Sequence, residues 1–196
     1  MVIIKRPQSS QPLPKRAKLV YKGSIFQVYK WKQKLYDGSS AIFEKVKQQD
    51  TVNVIPVTDD GKIILTKQKQ PLSKVYFGTV GGRMEKGETP LKTAKREMLE
   101  EIGYKSNKYI LWRSQQIFSK IDWVSYIFIA KNSIKTMVQK PDAGEKIEPV
   151  YLDFDAFIDK VCNRNFRNPE ITLEILKTIR DKKKYDSFTK LLNLNK

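Results

Sequence analysis

The chain has 196 residues, with 38 Lys and Arg against 21 Asp and Glu for a formal net charge of +17, no histidine, and one cysteine, Cys162. Those counts exclude Ser-His catalysis, histidine metal sites, a disulfide framework and a cysteine-based zinc site; any metal must sit on oxygen ligands, which favours Mg2+ or Mn2+. No apolar run approaches the ~20 residues of a membrane span, the start MVIIKRPQSSQPLPKRAK is not a signal peptide, and a cytoplasmic setting is the default expectation.

Residues 1–16 read as a flexible arm, with Pro7, Pro12 and Pro14 among polar residues. Residues 17–50 read as a strand-rich extension. Tyr29, Trp31 and Leu35 alternate with Lys30, Lys32 and Lys34, one face buried and one wet. Asp37-Gly38 supplies a turn, and AIFEKV runs back from it. In residues 51–196, TVNVIPV, the turn TDDG and KIILTK predict a second hairpin. Helical spacing follows within residues 81–104, then strands in KYILWR, QQIF, WVSYIFIA and EPVYLDF. A short helix is expected about Asp155 to Cys162. Another starts at NPEITLEILKTIRDKK, where Asn168 can cap and Pro169 suits the first helical position. DKKKYD reads as a solvated helix face or turn. SFTKLLNLNK closes the chain, packing Phe188, Leu191 and Leu192. The order predicts an α+β layered domain.

The flanks hold most of the charge. Residues 1–50 carry 11 Lys/Arg and 3 Asp/Glu, and residues 160–196 carry 10 and 4. The plain reading is a solvated lysine-rich surface, and the sharper one is attraction of an anionic substrate or nucleic acid. Against this background, GGRMEKGETPLKTAKREMLEEIGY concentrates acid at Glu85, Glu88, Glu97, Glu100 and Glu101. Thr89 can cap a helix that Pro90 begins and Gly103 ends. Leu91, Ala94, Met98 and Ile102 form its core stripe. Glu97, Glu100 and Glu101 then share a neighbouring face near the helix C-terminus, where they repel one another and the helix dipole disfavours them. A solvated acidic face and a metal site are both compatible with the spacing, and a bound cation resolves the repulsion.

The stretch resembles the signature of Nudix hydrolases at Gly82, Glu88, Arg96, Glu97, Met98, Glu100, Glu101, Gly103 and Tyr104, with both gaps of the right length. More loosely, the chain is similar to the ADP-ribose pyrophosphatase branch. The resemblance implies a Nudix fold, an α/β/α sandwich around a mixed sheet, and Mg2+- or Mn2+-dependent hydrolysis of a nucleoside diphosphate derivative. It implies metal ligands at Glu97, Glu100 and Glu101, joined by the Gly81 carbonyl, and a structural pair between Arg96 and Glu88. It also implies that residues 17–50 help to build a homodimer; an extra sheet layer with no oligomeric role is the plainer reading.

Gly78, Thr79, Val80, Gly81 and Gly82 stand where that branch shows Glu-Leu-Pro-Ala-Gly. Gln70 stands where it places an Arg, and Ser119, Lys120 and Ile121 replace a Ser-Pro-Gly. The chemistry is expected to survive these departures, and the substrate is not fixed by them. A further acid is expected from KPDAGEKIEP, with Glu145 as the chosen catalytic or metal residue over Asp142 and Glu148. Trp31, Trp112 and Trp123 read as core, with one of them, Tyr36 or Phe77 the alternatives for stacking on a base. Cys162 reads as a small buried residue. The leading expectation is a pyrophosphatase acting on ADP-ribose or a nucleotide sugar, without membrane contact. The alternatives are an RNA 5′-end pyrophosphohydrolase and a non-catalytic nucleic-acid-binding protein.

Overall fold

The computed structural model describes residues 4–192. The strands are β1 (Lys18–Lys22), β2 (Gln27–Lys34), β3 (Ser40–Lys47), β4 (Thr51–Pro56), β5 (Ile63–Lys69), β6 (Tyr76–Gly78), β7 (Val80–Arg83), β8 (Tyr104–Lys105), β9 (Lys108–Gln115), β10 (Ile121–Asp122), β11 (Ser125–Lys131), β12 (Ile134–Lys135) and β13 (Lys146–Leu152). The helices are α1 (Pro90–Glu97), continued by a π-turn over Met98–Ile102, then α2 (Phe154–Val161), α3 (Pro169–Ile179) and α4 (Lys182–Leu191).

The central sheet runs β7-β4-β11-β9, with β4 and β11 parallel and the other pairs antiparallel. Successive strand residues point to opposite faces. On β4 and β11, Val52, Val54, Tyr126 and Phe128 face one way and meet Ala94, Met98 and Ile102 of the α1 segment. Ile55, Ile127 and Ile129 face the other way and meet Phe157, Ile171, Ile175 and Phe188 of α2, α3 and α4. A sheet covered on both faces needs apolar residues in unbroken runs, and all seven residues of β11 are buried. This is the expected α/β/α sandwich around a mixed sheet.

The predicted hairpin between TVNVIPV and KIILTK is corrected. The turn is present, with Thr58 N–H donating to the Lys62 carbonyl at 2.9 Å and Gly61 at φ +83°. Beyond one bridge, Val57 to Ile63, the strands part. β4 is claimed by β7 and β11, and β5 by β6 and β13. Each strand thereby gains two neighbours, which a hairpin could not supply alone. QQIF is corrected too: Gln115 ends β9, and the next three residues form no strand. The expected final helix begins earlier, at Lys182, where the Asp181 side chain accepts from Lys184 N–H. Phe188 is buried in it and Leu192 just past its end; residues 193–196 lie outside the described residues.

Residues 18–47 form the sheet β1-β2-β3-β10. β10 joins β3 in parallel, so this sheet also takes in residues from beyond α1. Trp31 is buried while Lys30, Lys32 and Lys34 are exposed, as the alternation predicts, but Leu35 lies past the strand end and is exposed. Residues 4–16 form no helix or strand. Arg6 nevertheless pairs with Asp50 and Asp122 at 2.8 and 2.9 Å, and the buried Lys45 donates to Ser9 Oγ and the Gln11 carbonyl. No helix among the described residues is long and apolar enough to cross a membrane.

Candidate functional site

The site is built where the edge strand β7 meets α1. Thr89 caps the helix by accepting from Lys92 N–H, Pro90 opens it, and Gly103 ends the π-turn at φ +74°. A Cβ at Gly103 would stand 2.1 Å from the Met137 carbonyl oxygen, so only glycine fits. π-turns are rare and concentrate at functional positions; this one carries Glu100 and Glu101. Glu97 and Glu101 are 9% and 7% exposed, whereas the Glu100 side chain is 45% exposed.

Arg96 organises the acids. Its Nε and Nη2 donate to the two carboxylate oxygens of Glu88, each at 3.1 Å. Nη1 donates to Glu97 Oε1 and Glu100 Oε2, both at 2.9 Å, and Nη2 also reaches the Arg83 carbonyl. Glu88 accepts further bonds from Thr93 Oγ1 and Glu85 N–H. The guanidinium and these donors hold its carboxyl down at about 2.

Glu97 and Glu101 sit in the opposite situation. Burial pushes the Glu97 carboxyl up to about 7; Arg96 opposes the rise, and the charges of Glu100 and Asp142 add to it. Burial also drives Glu101 well above the usual range, opposed by a 2.9 Å bond from Gly81 N–H and reinforced by Glu97, Glu145 and Glu100. Buried carboxylates crowded by like charge and served by one arginine fit a hard divalent cation on oxygen ligands. The residues that could hold it are Glu97, Glu100, Glu101, Glu145 and the Gly81 carbonyl. Among the described residues no three acids converge as a ready metal cage. Glu97 and Glu100 are turned to Arg96, and Glu101 to Gly81. Gly82 leaves room for the acids, because a Cβ there would stand 2.4 Å from Glu97 Oε1.

The loop between β12 and β13 brings the further acids. Glu145 is half-buried and accepts from Gln70 Nε2 at 2.7 Å. Asp142 is exposed yet faces the site closely enough to act on Glu97. Glu148 pairs with Lys67 on the exposed surface and stays outside the cluster. Arg167 and Tyr76 escaped sequence reasoning. The Arg167 guanidinium carbon lies 3.7 Å from the Tyr76 ring centroid, and the Tyr76 hydroxyl donates to Gln68 Oε1. The Glu145, Glu101 and Arg167 charges all reach Tyr76.

Around the β7 edge from the acids, on the sheet face that carries α3, opens a cavity of about 520 Å3. Gly82, Asn53, Phe118, Trp123, Arg167 and Glu170 are among its lining. Trp123 was expected in the core of a strand; it instead lines this cavity, its Nε1 donating to Thr51 Oγ1 at 3.0 Å. Trp31 and Trp112 are buried as expected. Asn168 stands at the helix start, but its Oδ1 accepts from Thr79 N–H and its Nδ2 donates to Asn53 Oδ1, so it ties α3 to the sheet rather than capping the helix. Cys162 is exposed, contrary to expectation, because it ends α2 beyond the buried Val161.

The NUDIX domain model matches residues 47–171. The chain belongs to the Nudix family. An ADP-ribose pyrophosphatase of Bacillus subtilis (strain 168) is 30% identical over 175 residues, covering 87% of this chain and 84% of that protein. A methanol dehydrogenase activator of Bacillus methanolicus matches with the same identity and coverage. A solved structure described as an ADP compounds hydrolase superposes with a TM-score of 0.69 at 18% identity, over 87% of this chain and 95% of the other, and shares the fold. The chain is therefore a Nudix hydrolase acting on a phosphoric anhydride, and Nudix hydrolases generally use divalent metal ions.

Proposed function

We propose that this Nudix hydrolase is an Mg2+- or Mn2+-dependent pyrophosphatase. It cleaves a nucleoside diphosphate derivative of the ADP-ribose or nucleotide-sugar type into a nucleoside monophosphate and a phosphorylated moiety. The carrying observation is the buried pair Glu97 and Glu101 beside Gly81 and Gly82, with Arg96 as its main positive neighbour. Glu97, Glu100, Glu101, Glu145 and the Gly81 carbonyl would hold the metal. When bound, the cation supplies neutralisation of the diphosphate oxygens and a water made acidic enough to attack.

Around that chemistry the chain's own groups divide the work. Arg96 fixes Glu97 and Glu100 in orientation. Glu145, steadied by the Gln70 amide, accepts the proton of the attacking water or adds a metal ligand. A Mg2+-dependent hydrolysis screen tests the reading, run over nucleoside diphosphate sugars, ADP-ribose, dinucleoside polyphosphates, nucleoside triphosphates and 5′-triphosphate RNA. Preference for the first two classes supports it, and cleavage of the RNA alone replaces it.

The same reading includes a homodimer through residues 17–50. All five residues of β1 are exposed, Leu19, Val20 and Tyr21 among them, and Ile25, Phe26 and Ile42 are exposed nearby. A small sheet with uncovered apolar residues is marginal alone and gains stability against a second copy.

A further inference from the structure

Residues 4–14 lie outside the 47–171 that carry the Nudix match and form no helix or strand, yet they are tied down along their length. Ile4 packs against the core on the α1 face of the central sheet. Arg6 donates from Nε and Nη2 to the two carboxylate oxygens of Asp50, at 2.8 and 2.9 Å, and from Nη2 again to Asp122 Oδ1 at 2.9 Å. The Pro7 carbonyl accepts from Gln116 Nε2 at 3.4 Å, and Ser9 and Gln11 receive the Lys45 ammonium. Ordering a segment that has no regular structure costs conformational entropy at every residue, which these contacts must offset.

The two acids that Arg6 joins stand behind the wall of the cavity beside the acid cluster. Asp50 precedes Thr51 and Asp122 precedes Trp123, and Thr51 and Trp123 both line that cavity. Asp50 Oδ1 accepts from Val124 N–H at 2.9 Å, and Trp123 Nε1 donates to Thr51 Oγ1 at 3.0 Å. Trp123 therefore sits between two residues that Arg6 holds, Asp122 directly and Val124 through Asp50. The Phe118 ring stacks on Trp123, their planes 16° apart, so fixing one places the other.

The Asp50 and Asp122 side chains are only 15% and 14% exposed. One Nη2 reaches both, so the two carboxylates face each other across a single nitrogen. Without the guanidinium they are like charges in a poorly hydrated place, and they drive each other apart. Other contacts hold the segment from Gln116 to Trp123 weakly. The Gln116 Nε2 bonds are long, 3.3 and 3.4 Å, and its buried Oε1 has no partner among the described residues. Its strand pairing, β10 with β3, is two residue pairs long. Lys45, whose charge also reaches Asp122, is committed to Ser9 and Gln11.

We propose that residues 4–14 are a strap that sets the cavity wall, with Arg6 as its positioning residue: by clamping Asp122 to Asp50 it keeps Trp123 and Phe118 in place beside the acid cluster. Gly82 lines the same cavity and stands against Glu97, so a substrate held at the acids meets this wall. Arg6 does not itself line the cavity and acts through the two aspartates. Loosening the wall weakens substrate binding and leaves bond cleavage at the acids alone. That effect on turnover rests on the reading of the chain as a hydrolase of nucleoside diphosphate derivatives, whereas the hold on the wall does not.

The test compares Arg6→Gln, Arg6→Lys and the double variant Arg6→Gln with Asp122→Asn against the unsubstituted full chain, with circular dichroism as the check on folding. Lys120 is exposed within the segment, so brief trypsin digestion followed by mass spectrometry reads the segment's opening. Cleavage after Lys120 should speed up about tenfold or more in Arg6→Gln, the scale of lost charge-assisted hydrogen bonds. Arg6→Lys keeps the charge without the planar fork and should fall between. The double variant removes one of the two facing charges and should return most of the way to the parent rate, a rescue that a merely stabilising contact would not give. With ADP-ribose or a nucleotide sugar as substrate, KM of Arg6→Gln should rise about tenfold while kcat stays within about twofold. Unchanged cleavage after Lys120 in a folded Arg6→Gln protein overturns the proposal. So does a double variant as open as the single one, and so does a fall in kcat at constant KM. If the unsubstituted chain hydrolyses no nucleoside diphosphate derivative, the activity reading fails, and the cleavage rates and the rescue decide the strap by themselves.

Discussion

Arg96 holds Glu88 through two parallel contacts of 3.1 Å, Nε to one carboxylate oxygen and Nη2 to the other. The pair closes the loop before α1 onto the helix, and the same guanidinium steadies Glu97 and Glu100. Lysine keeps the charge but has no planar fork. Arg96→Lys should therefore lower activity about tenfold or more, the usual range for a residue that orients metal-binding acids. It should cost about 1–2 kcal/mol, or roughly 3–6 °C in Tm for a chain of this size. The pair also sets an acid limb. Glu88's carboxyl is held down to about 2, so its contribution is present above the ordinary carboxylate range and lost as pH falls towards 2. In Arg96→Lys that limb should move to higher pH in an acid denaturation titration.

Glu97 and Glu101 have the opposite sign. Glu97 is pushed up to about 7 and Glu101 is raised well above its ordinary value, so in the metal-free protein these two groups contribute most stability while both are protonated, below the ordinary carboxylate range. That stability is lost as pH rises through about 7. A divalent cation binds the ionised form, so the Tm gain on adding excess MgCl2 should grow from about pH 5 to about pH 8. Glu101→Gln should lower turnover about a hundredfold or more, while its metal-free Tm at neutral pH holds or rises. Near-normal Mg2+-dependent turnover in Glu101→Gln would remove the acid pair from the mechanism.

What was legible in the sequence was local. The spacing of Ala94, Met98 and Ile102 gave the buried face of the first helix, and Glu88 and Arg96 stood at the separation that their ion pair uses. The slip from α- to π-turn after Glu97 leaves no residue signature, because it is a change of backbone hydrogen-bond partner. The β4–β5 hairpin failed for a related reason. The Asp-Asp-Gly turn is local, while the choice of strand neighbour depends on β7, β11 and β13, which the turn does not report. Asn53, Thr79, Ser125, Asn168 and Glu170 converge over separations of up to 117 residues, and each alone reads as an ordinary polar residue. Trp123 was classed with the strand that follows it, and only the tertiary fold turns its ring into the cavity.

The exposed apolar residues of β1 and its neighbours should disappear in a dimer. Leu19, Val20, Tyr21, Phe26 and Ile42 are too many to leave wet on one small sheet. Light scattering at micromolar concentration should give twice the chain mass, and Val20→Lys with Ile42→Lys should shift it towards the monomer. A monomeric mass for the unsubstituted protein would mean that the sheet stands uncovered.

Lys45 is 1% exposed, and burial lowers its ammonium pKa. It donates to Ser9 and Gln11, with no carboxylate in contact among the described residues. Removing the chain through Gln11 takes both acceptors away along with the Arg6 pairs to Asp50 and Asp122, and the lost Lys45 acceptors alone should cost about 1–3 kcal/mol. Lys45→Met in the truncated protein should recover the Lys45 share of that loss, because an apolar residue of similar length needs no acceptor, while the Arg6 share stays lost. Thermal denaturation of the two proteins checks this, and an equal Tm for full-length and truncated chains would show that the arm adds nothing.

Glu145 is set apart from the other loop acids by its partner. Gln70 Nε2 donates to its Oε1 at 2.7 Å, which fixes a half-buried carboxylate whose charge reaches Glu101. Glu148 is tied to Lys67 on the surface, and Asp142 is exposed although its charge reaches Glu97. A proton acceptor for the attacking water must lie within one hydrogen bond of it and keep free lone pairs, and no histidine exists to serve. Glu145→Gln should therefore lower kcat about a hundredfold, with Glu148→Gln unchanged and Asp142→Asn reduced only a few-fold. If Glu145 adds a metal ligand instead, the same substitution should also raise the Mg2+ concentration needed for half-maximal rate. Gln70→Ala should reproduce part of the Glu145 effect by releasing its orientation. Full turnover in Glu145→Gln alongside a collapse in Asp142→Asn would transfer the role to Asp142, the acid whose charge reaches Glu97.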